Sequence, residues 1–182
     1  MADARIDELL GFWFAPGGRE RWFAADPGFD RELAARFSGL VAEAAAGGLE
    51  GWRDSVQGSL ALCLVLDQLP RNLWRGTPRA FATDAQAREV AKGALAAGLD
   101  RGLPPELRLF FYLPFEHSEV LADQDRSVEL AASLGDAEWL EYAWRHRAVI
   151  RRFGRFPHRN AALGRESTAE ERAFLEQPGS RF

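Results

Sequence analysis

The chain is short of residues that usually mark a site. Among 182 residues there are one cysteine, one methionine and three histidines, and Lys92 is the one lysine. A lone cysteine excludes an internal disulfide and a cysteine-based zinc cluster. Cys63 lies in the apolar run LALCLVL, where a thiol serves as a small core residue. Three histidines without a His-Glu-x-x-His pattern give no recognisable metal site. Strand signals are missing as well, with no period-2 run of β-branched residues and no Asn-Gly hairpin turn. No apolar run approaches the roughly 20 residues that cross a bilayer. The opening MADARIDELL is acidic and amphipathic, unlike a secretory signal. Positive charge is not in excess: net charge is −4 and the pI about 5.5, which argues against a general binder of nucleic acid or anionic membrane. The expectation is a soluble cytoplasmic protein with no nucleic-acid partner, no membrane partner, no metal and no cofactor. The preference for arginine over lysine accompanies abundant Ala and Gly, fits a GC-rich genome, and carries no functional meaning by itself.

Apolar and aromatic residues are plentiful. The chain is 47% hydrophobic, with six Trp and thirteen Phe, and a chain of this length buries roughly 70% of its unfolded surface. ARIDELLGFWF sets Ile6, Leu9, Leu10 and Trp13 at helical spacing. The segment beginning DPGFD runs Phe29, Leu33, Phe37, Leu40 and Val41 down one face and stops at Gly47-Gly48. GWRDSVQGSLALCLVLDQLPRN begins amphipathic and turns apolar all round, which marks a buried helix, and Pro70 stops or kinks it. TDAQAREVAKGALAAGLD opens with Thr83 and Gln86 in capping-box spacing. PPELRLFFYLP, HSEVLADQDRSVELAASLG and DAEWLEYAWRHRAVIRRFG follow, and STAEERAFLEQPG places Ser167 and Glu170 as a second capping box. Connections are short and contain Gly or Pro. The reading is all-α: about eight helices in one domain, residues 1–182, as stacked antiparallel helix pairs without sequence repeats.

Three stretches carry directed polar chemistry. In RFGRFPHRN, a helix ends at Gly154 and a turn at Pro157 presents His158, Arg159 and Asn160. Residues 142–165 hold seven arginines, two histidines and no Asp or Glu. Such a stretch calls for acids from elsewhere in the fold, for an anionic ligand, or for both. Arginine forks such as Arg152, Arg155 and Arg159 take carboxylate or phosphate bidentately. Upstream, Trp139, Ala143, His146, Ile150 and Phe153 form one stripe, so His146 belongs to an apolar face and reads first as a hydrogen-bonded core residue. LDQLPRN places Asp67, Gln68, Arg71 and Asn72 after the buried run, either as a site or as a buried ion pair. Asp67 is also placed as a counter-charge for the 152–159 arginines. In LPFEHSEVLADQ, His117 and Gln124 share a helical stripe, while Glu116 and Glu119 sit where a helix's first turn favours acids.

With the aromatic opening FWF…RWF, the blocks LDQLPRNLWRGTPRAFATDAQA, LPFEHSEVLADQ and HRAVIRRFGRFPHRNAALGRESTAEERAFL resemble a bacterial family of unknown function with a TPR-like all-α fold. The resemblance covers nearly the whole chain. It implies stacked antiparallel helices and brings no activity, cofactor or catalytic residue.

Two functions stay open on these residues. The first is a pocket for a small anionic ligand, phosphate- or carboxylate-bearing, with His117, His158 and His146 as the proton carriers of an enzyme if it is one. Its ligand contacts would come from Asp67, Gln68, Arg71, Asn72, His117, Glu119, Gln124, Arg152, Arg155, His158, Arg159 and Asn160. The second is a helical scaffold for a protein partner, with the same residues as structural clamps.

Overall fold

In a computed structural model of the chain, which describes residues 3–180, nine α-helices and no strand are present among the described residues. None of these helices is long and apolar enough to cross a membrane. The chain divides into two compact units, 1–75 with 79–114, and 76–78 with 115–182.

The first unit opens with α1 (Ala4–Trp13), capped by the Asp3 carboxylate and buried through Ile6, Leu9 and Trp13. A five-residue helix follows, α2 (Gly18–Trp22), whose Trp22 indole donates to the Trp13 carbonyl at 2.8 Å. It is too short to show a periodicity, and it raises the number of helices from about eight to nine. In α3 (Pro27–Ala45) the Asp26 side chain accepts from the Gly28 and Phe29 amides, and the face read from the sequence is buried, with Ala44 added. Aromatic side chains contributed by these helices and by Phe110 pack edge-on, Trp22 against Phe110 at 4.9 Å and Trp13 against Phe110 at 5.7 Å.

The buried helix α4 covers 56–73 in three parts: an α-helical Val56–Cys63, a π-helical turn Leu64–Gln68 and an α-helical Leu69–Leu73. The wide turn is how the helix passes Pro70. Proline has no N–H, and its ring crowds the carbonyl four residues back. In the wider turn the Leu69 amide reaches five residues back to the Leu64 carbonyl. The Leu66 carbonyl, which residue 70 cannot serve, accepts the Thr83 hydroxyl at 2.5 Å. Thr83 therefore caps α4's carbonyl, and its side chain makes no capping bond to α5 (Asp84–Ala96), contrary to the expected capping box. Gln86, the other half of that box, donates instead to the Ala45 carbonyl at 3.1 Å. Cys63 is fully buried, and burial pushes its thiol up from the ordinary value. The unit's last helix is α6 (Pro105–Glu116), of which Phe115 and Glu116 fall in the second unit.

In the second unit, α7 (Leu121–Ala132) and α8 (Ala137–Phe153) are joined by a tight turn at Gly135. The core of the pair includes Leu130, Trp139, Ala143 and Ile150, and α8 buries the predicted stripe with Phe153 half-buried. Gly154 ends α8 at φ 69°, a left-handed conformation that glycine adopts without a Cβ penalty, and its amide closes on the Ile150 carbonyl. A 3₁₀ turn, Pro157–Arg159, leads to the last helix, α9 (Ala169–Leu175). The capping box here is one residue later than expected. Thr168 and Glu171 form it, because Glu171 rather than Glu170 faces inward and is buried.

Candidate functional site

The LDQLPRN stretch belongs to the first unit, and its polar groups hold helix ends together. Arg71 bonds Asp84 through both terminal nitrogens, at 2.8 and 2.9 Å, and also donates to the Asp67 carbonyl at 2.6 Å. The Asp67 carboxylate, 1% exposed, lies 3.2 Å from Arg71 and accepts from the Gln68 amide at 2.6 Å. Burial works against the Arg71 charge, yet Asp67 and Asp84 outweigh it and raise the guanidinium pKa. Asn72 donates to Asp30 at 2.8 Å, and Arg75 takes the same carboxylate. The Asp67–Arg71 bridge forms across Pro70 because the π turn lets the helix continue.

The other two stretches meet within the second unit. The Phe156 amide donates to Glu119 at 2.7 Å, Arg165 grips both oxygens of that carboxylate, and Arg159 donates to the His117 carbonyl at 3.0 Å. Gln124, fully buried, donates to the carbonyls of Glu116 and Ser118 at 2.6 and 2.7 Å. Three consecutive carbonyls, 116 to 118, are thus held from Gln124 and Arg159, and Ser118 bonds Asp123. The loop between α6 and α7 is held at its backbone carbonyls by these side-chain donors.

This geometry corrects two expectations. Helix α7 starts at Leu121, not at His117, so Glu116 and Glu119 are not first-turn acids. Glu116 closes α6, and Glu119 is a counter-charge in the loop. Burial opposes the Glu119 charge, but Arg165, the Phe156 amide and Arg159 hold its carboxyl below the ordinary value. His117 lies outside α7 and so shares no helical stripe with the buried Gln124.

All three histidines of the chain gather here. The His117 and His146 rings are 6.2 Å apart, and Phe156 lies 5.6 Å from both His146 and His158. Arg159 sits over the Phe156 ring at 4.5 Å. The buried His146 ring places Nδ1 2.8 Å from the Tyr142 carbonyl and 3.2 Å from the Glu116 carboxylate. Both neighbours only accept, so Nδ1 carries the proton and Nε2 is the basic nitrogen. Burial first, then the charges of His117, Arg159 and His158, push its pKa well below 6.5 against the pull of the Tyr142 carbonyl. The neutral imidazole keeps a lone pair at Nε2, but its lowered pKa makes it a weaker base than an ordinary histidine. His146 is at once the hydrogen-bonded core residue read from the sequence and a member of this cluster.

The remaining arginines of the stretch carry their own carboxylates. Arg155 takes Glu171 through two bonds of 2.6 and 2.8 Å, and Arg152 takes Glu170 at 2.7 Å on the surface. The Asn160 amide donates to Ser167 at 3.0 Å and to Glu171 at 3.3 Å. Arg155 holds the Glu171 carboxyl down at about 2, helped by the Thr168 amide and by Asn160. The acids missing from 142–165 are supplied by Glu119, Asp125, Glu170 and Glu171. Arg165 and Glu171 were not among the sequence candidates. The signal for Arg165 was present in the acid-free run, and that for Glu171 in the TAEE that opens α9. Gln124 Oε1 and Asn160 Oδ1 are buried acceptors without a hydrogen bond among the described residues, positions that an internal water could fill.

The fold and cluster define an all-α protein whose motif loops are tied together by half-buried ion pairs and by side-chain bonds to backbone carbonyls. The chain belongs to a family described as bacterial protein of unknown function (DUF924), which it matches over residues 9–179. It is similar to the solved structure of a protein of unknown function from Agrobacterium tumefaciens, with 44% identity, a TM-score of 0.91, and 95% of this chain and 97% of that one covered. No curated protein matches the chain.

Proposed function

We propose that this protein binds a small anionic ligand, phosphate- or carboxylate-bearing, at the corner formed by His117, His158 and Arg159, with His146 behind it. The observation that carries the reading is the convergence of the chain's three histidines with Arg159 and Glu116 in one unit. Arginine and imidazole together give a charged fork and directional donors, the combination that recognises a compact anion. In an enzymatic form of this reading, His146, oriented by Glu116, is the proton acceptor, and His117 or His158 is the partner acid.

Arg152 and Arg155 are left out of the ligand set, because Glu170 and Glu171 already neutralise them. Asp67, Gln68, Arg71 and Asn72 read as clamps on α4. Those same pairings favour a second reading, a TPR-related helical scaffold that binds a protein partner and uses its motif residues for rigidity.

One experiment separates the two. Inorganic phosphate and a panel of small carboxylates are titrated against the protein in thermal melts and by calorimetry. The ligand reading expects a rise in Tm that is lost in both Arg159→Gln and His158→Gln. His158 is half-buried, so its variant keeps the test meaningful if Arg159→Gln folds poorly. Absence of any rise, or an equal rise in wild type and both variants, removes the ligand reading and leaves the scaffold.

A further inference from the structure

The outward face of α8 is unusually organised. Trp144 is 50% exposed and the neighbouring Tyr142 43%. Trp144, Arg147, Ala148, Arg151 and Arg152 line a shallow groove of about 450 Å³. One helical stripe carries Glu141, Trp144, Ala148, Arg151 and Arg152 in that order, with Glu138 beside it, all of them exposed. The stripe is therefore acidic at its start, aromatic and small at its centre, and basic at its end. Arg147 and Arg152 have acids of their own in Asp125 and Glu170. Among the described residues Glu141 and Arg151 make no side-chain hydrogen bond or ion pair.

We propose that this face pairs with the same face of a second copy of the chain, in an antiparallel, two-fold arrangement. The stripe is complementary to its own reverse. With the axis at the level of residue 146, Glu141 meets the partner's Arg151, and Trp144 meets the partner's Ala148. Each pairing occurs twice, as a two-fold interface requires. The indole is the projecting side chain and Ala148 the floor of the groove that receives it, while Arg147, 5.2 Å from the Trp144 ring, stacks along its side. Glu141 and Arg151 are ten positions apart on the helix, about 15 Å, so the two ion pairs flank the aromatic centre. Charge complementarity selects a second copy over an unrelated acidic peptide, because a peptide would leave Glu138 and Glu141 facing like charge. One helix face buries less than the 1,200–2,000 Å² or so typical of stable complexes, so the dimer is weak, and both concentration and salt control it.

Sedimentation of the full chain across a concentration series tests the proposal. The wild type should show a monomer–dimer equilibrium that shifts toward monomer in about 1 M salt, where charges are screened beyond roughly 3 Å. Arg151→Glu and Glu141→Arg should each weaken self-association by about tenfold or more, since two attractive contacts become repulsive. A mixture of the two variants should associate again, because the first then carries acids at both positions and the second arginines at both. Trp144→Ala should weaken association without altering the fold, being an exposed position. A wild type that stays monomeric at the highest soluble concentration overturns the proposal. So does a dimer indifferent to both reversals, or one that mixing fails to restore.

Discussion

Four donors converge on one carboxylate at Glu171: Arg155 through two nitrogens, the Thr168 amide and the Asn160 amide. A carboxylate so served stabilises the fold only while ionised. Its folded pKa is about 2 against an ordinary 4.5, so the stabilisation is complete above about 4.5 and is lost as pH falls from there toward 2. His146 acts in a higher range. Its folded pKa lies below 6.5, so the unfolded chain takes up the proton first, and stability declines as pH falls through and below 6.5. Urea unfolding midpoints measured between pH 8 and 3 should therefore fall in two limbs, with Glu171→Gln flattening the lower and His146→Gln the upper. A midpoint independent of pH across both ranges would contradict these assignments.

At the scale of elements, α4 is the informative case. Its apolar run and Pro70 are plain in the sequence, and either a stop or a kink was a fair expectation. The helix runs on to Leu73, three residues past Pro70, because a π turn absorbs the proline and Thr83 takes up the spare carbonyl. Thr83→Val keeps shape and burial while removing that donor. It should cost about 1–3 kcal/mol, the penalty for an unsatisfied buried acceptor, read as a lower denaturant midpoint. A change within about 0.5 kcal/mol, typical of neutral surface substitutions, would mean that the carbonyl finds another partner. The shifted capping box at α9 teaches a related point. Both Ser167–Glu170 and Thr168–Glu171 have the required spacing, and what selects the second is that Arg155 and Asn160 wait for the inner carboxylate.

For the whole molecule, the all-α class was legible because apolar residues recur at helical spacing and strand signals are missing, both purely local properties. One cooperative domain over residues 1–182 remains our proposal, resting on the absence of a linker between the helices. It predicts that far-UV circular dichroism, tryptophan fluorescence and the histidine proton signals report a single unfolding midpoint. Separate midpoints would show two domains. The site was legible only in outline. The sequence named all three histidines and Arg159, and its acid-free run of arginines announced that carboxylates must arrive from elsewhere. Helical periodicity, glycine stops and local charge imbalance act over a few residues, so composition and spacing settled them. Which carboxylate reaches which arginine depends on contacts between residues up to 46 positions apart, as with Arg165 and Glu119. Long-range packing alone sets those pairings, and it assigned Arg152 and Arg155 to acids of their own while bringing His146 against Phe156 and His117 against His146.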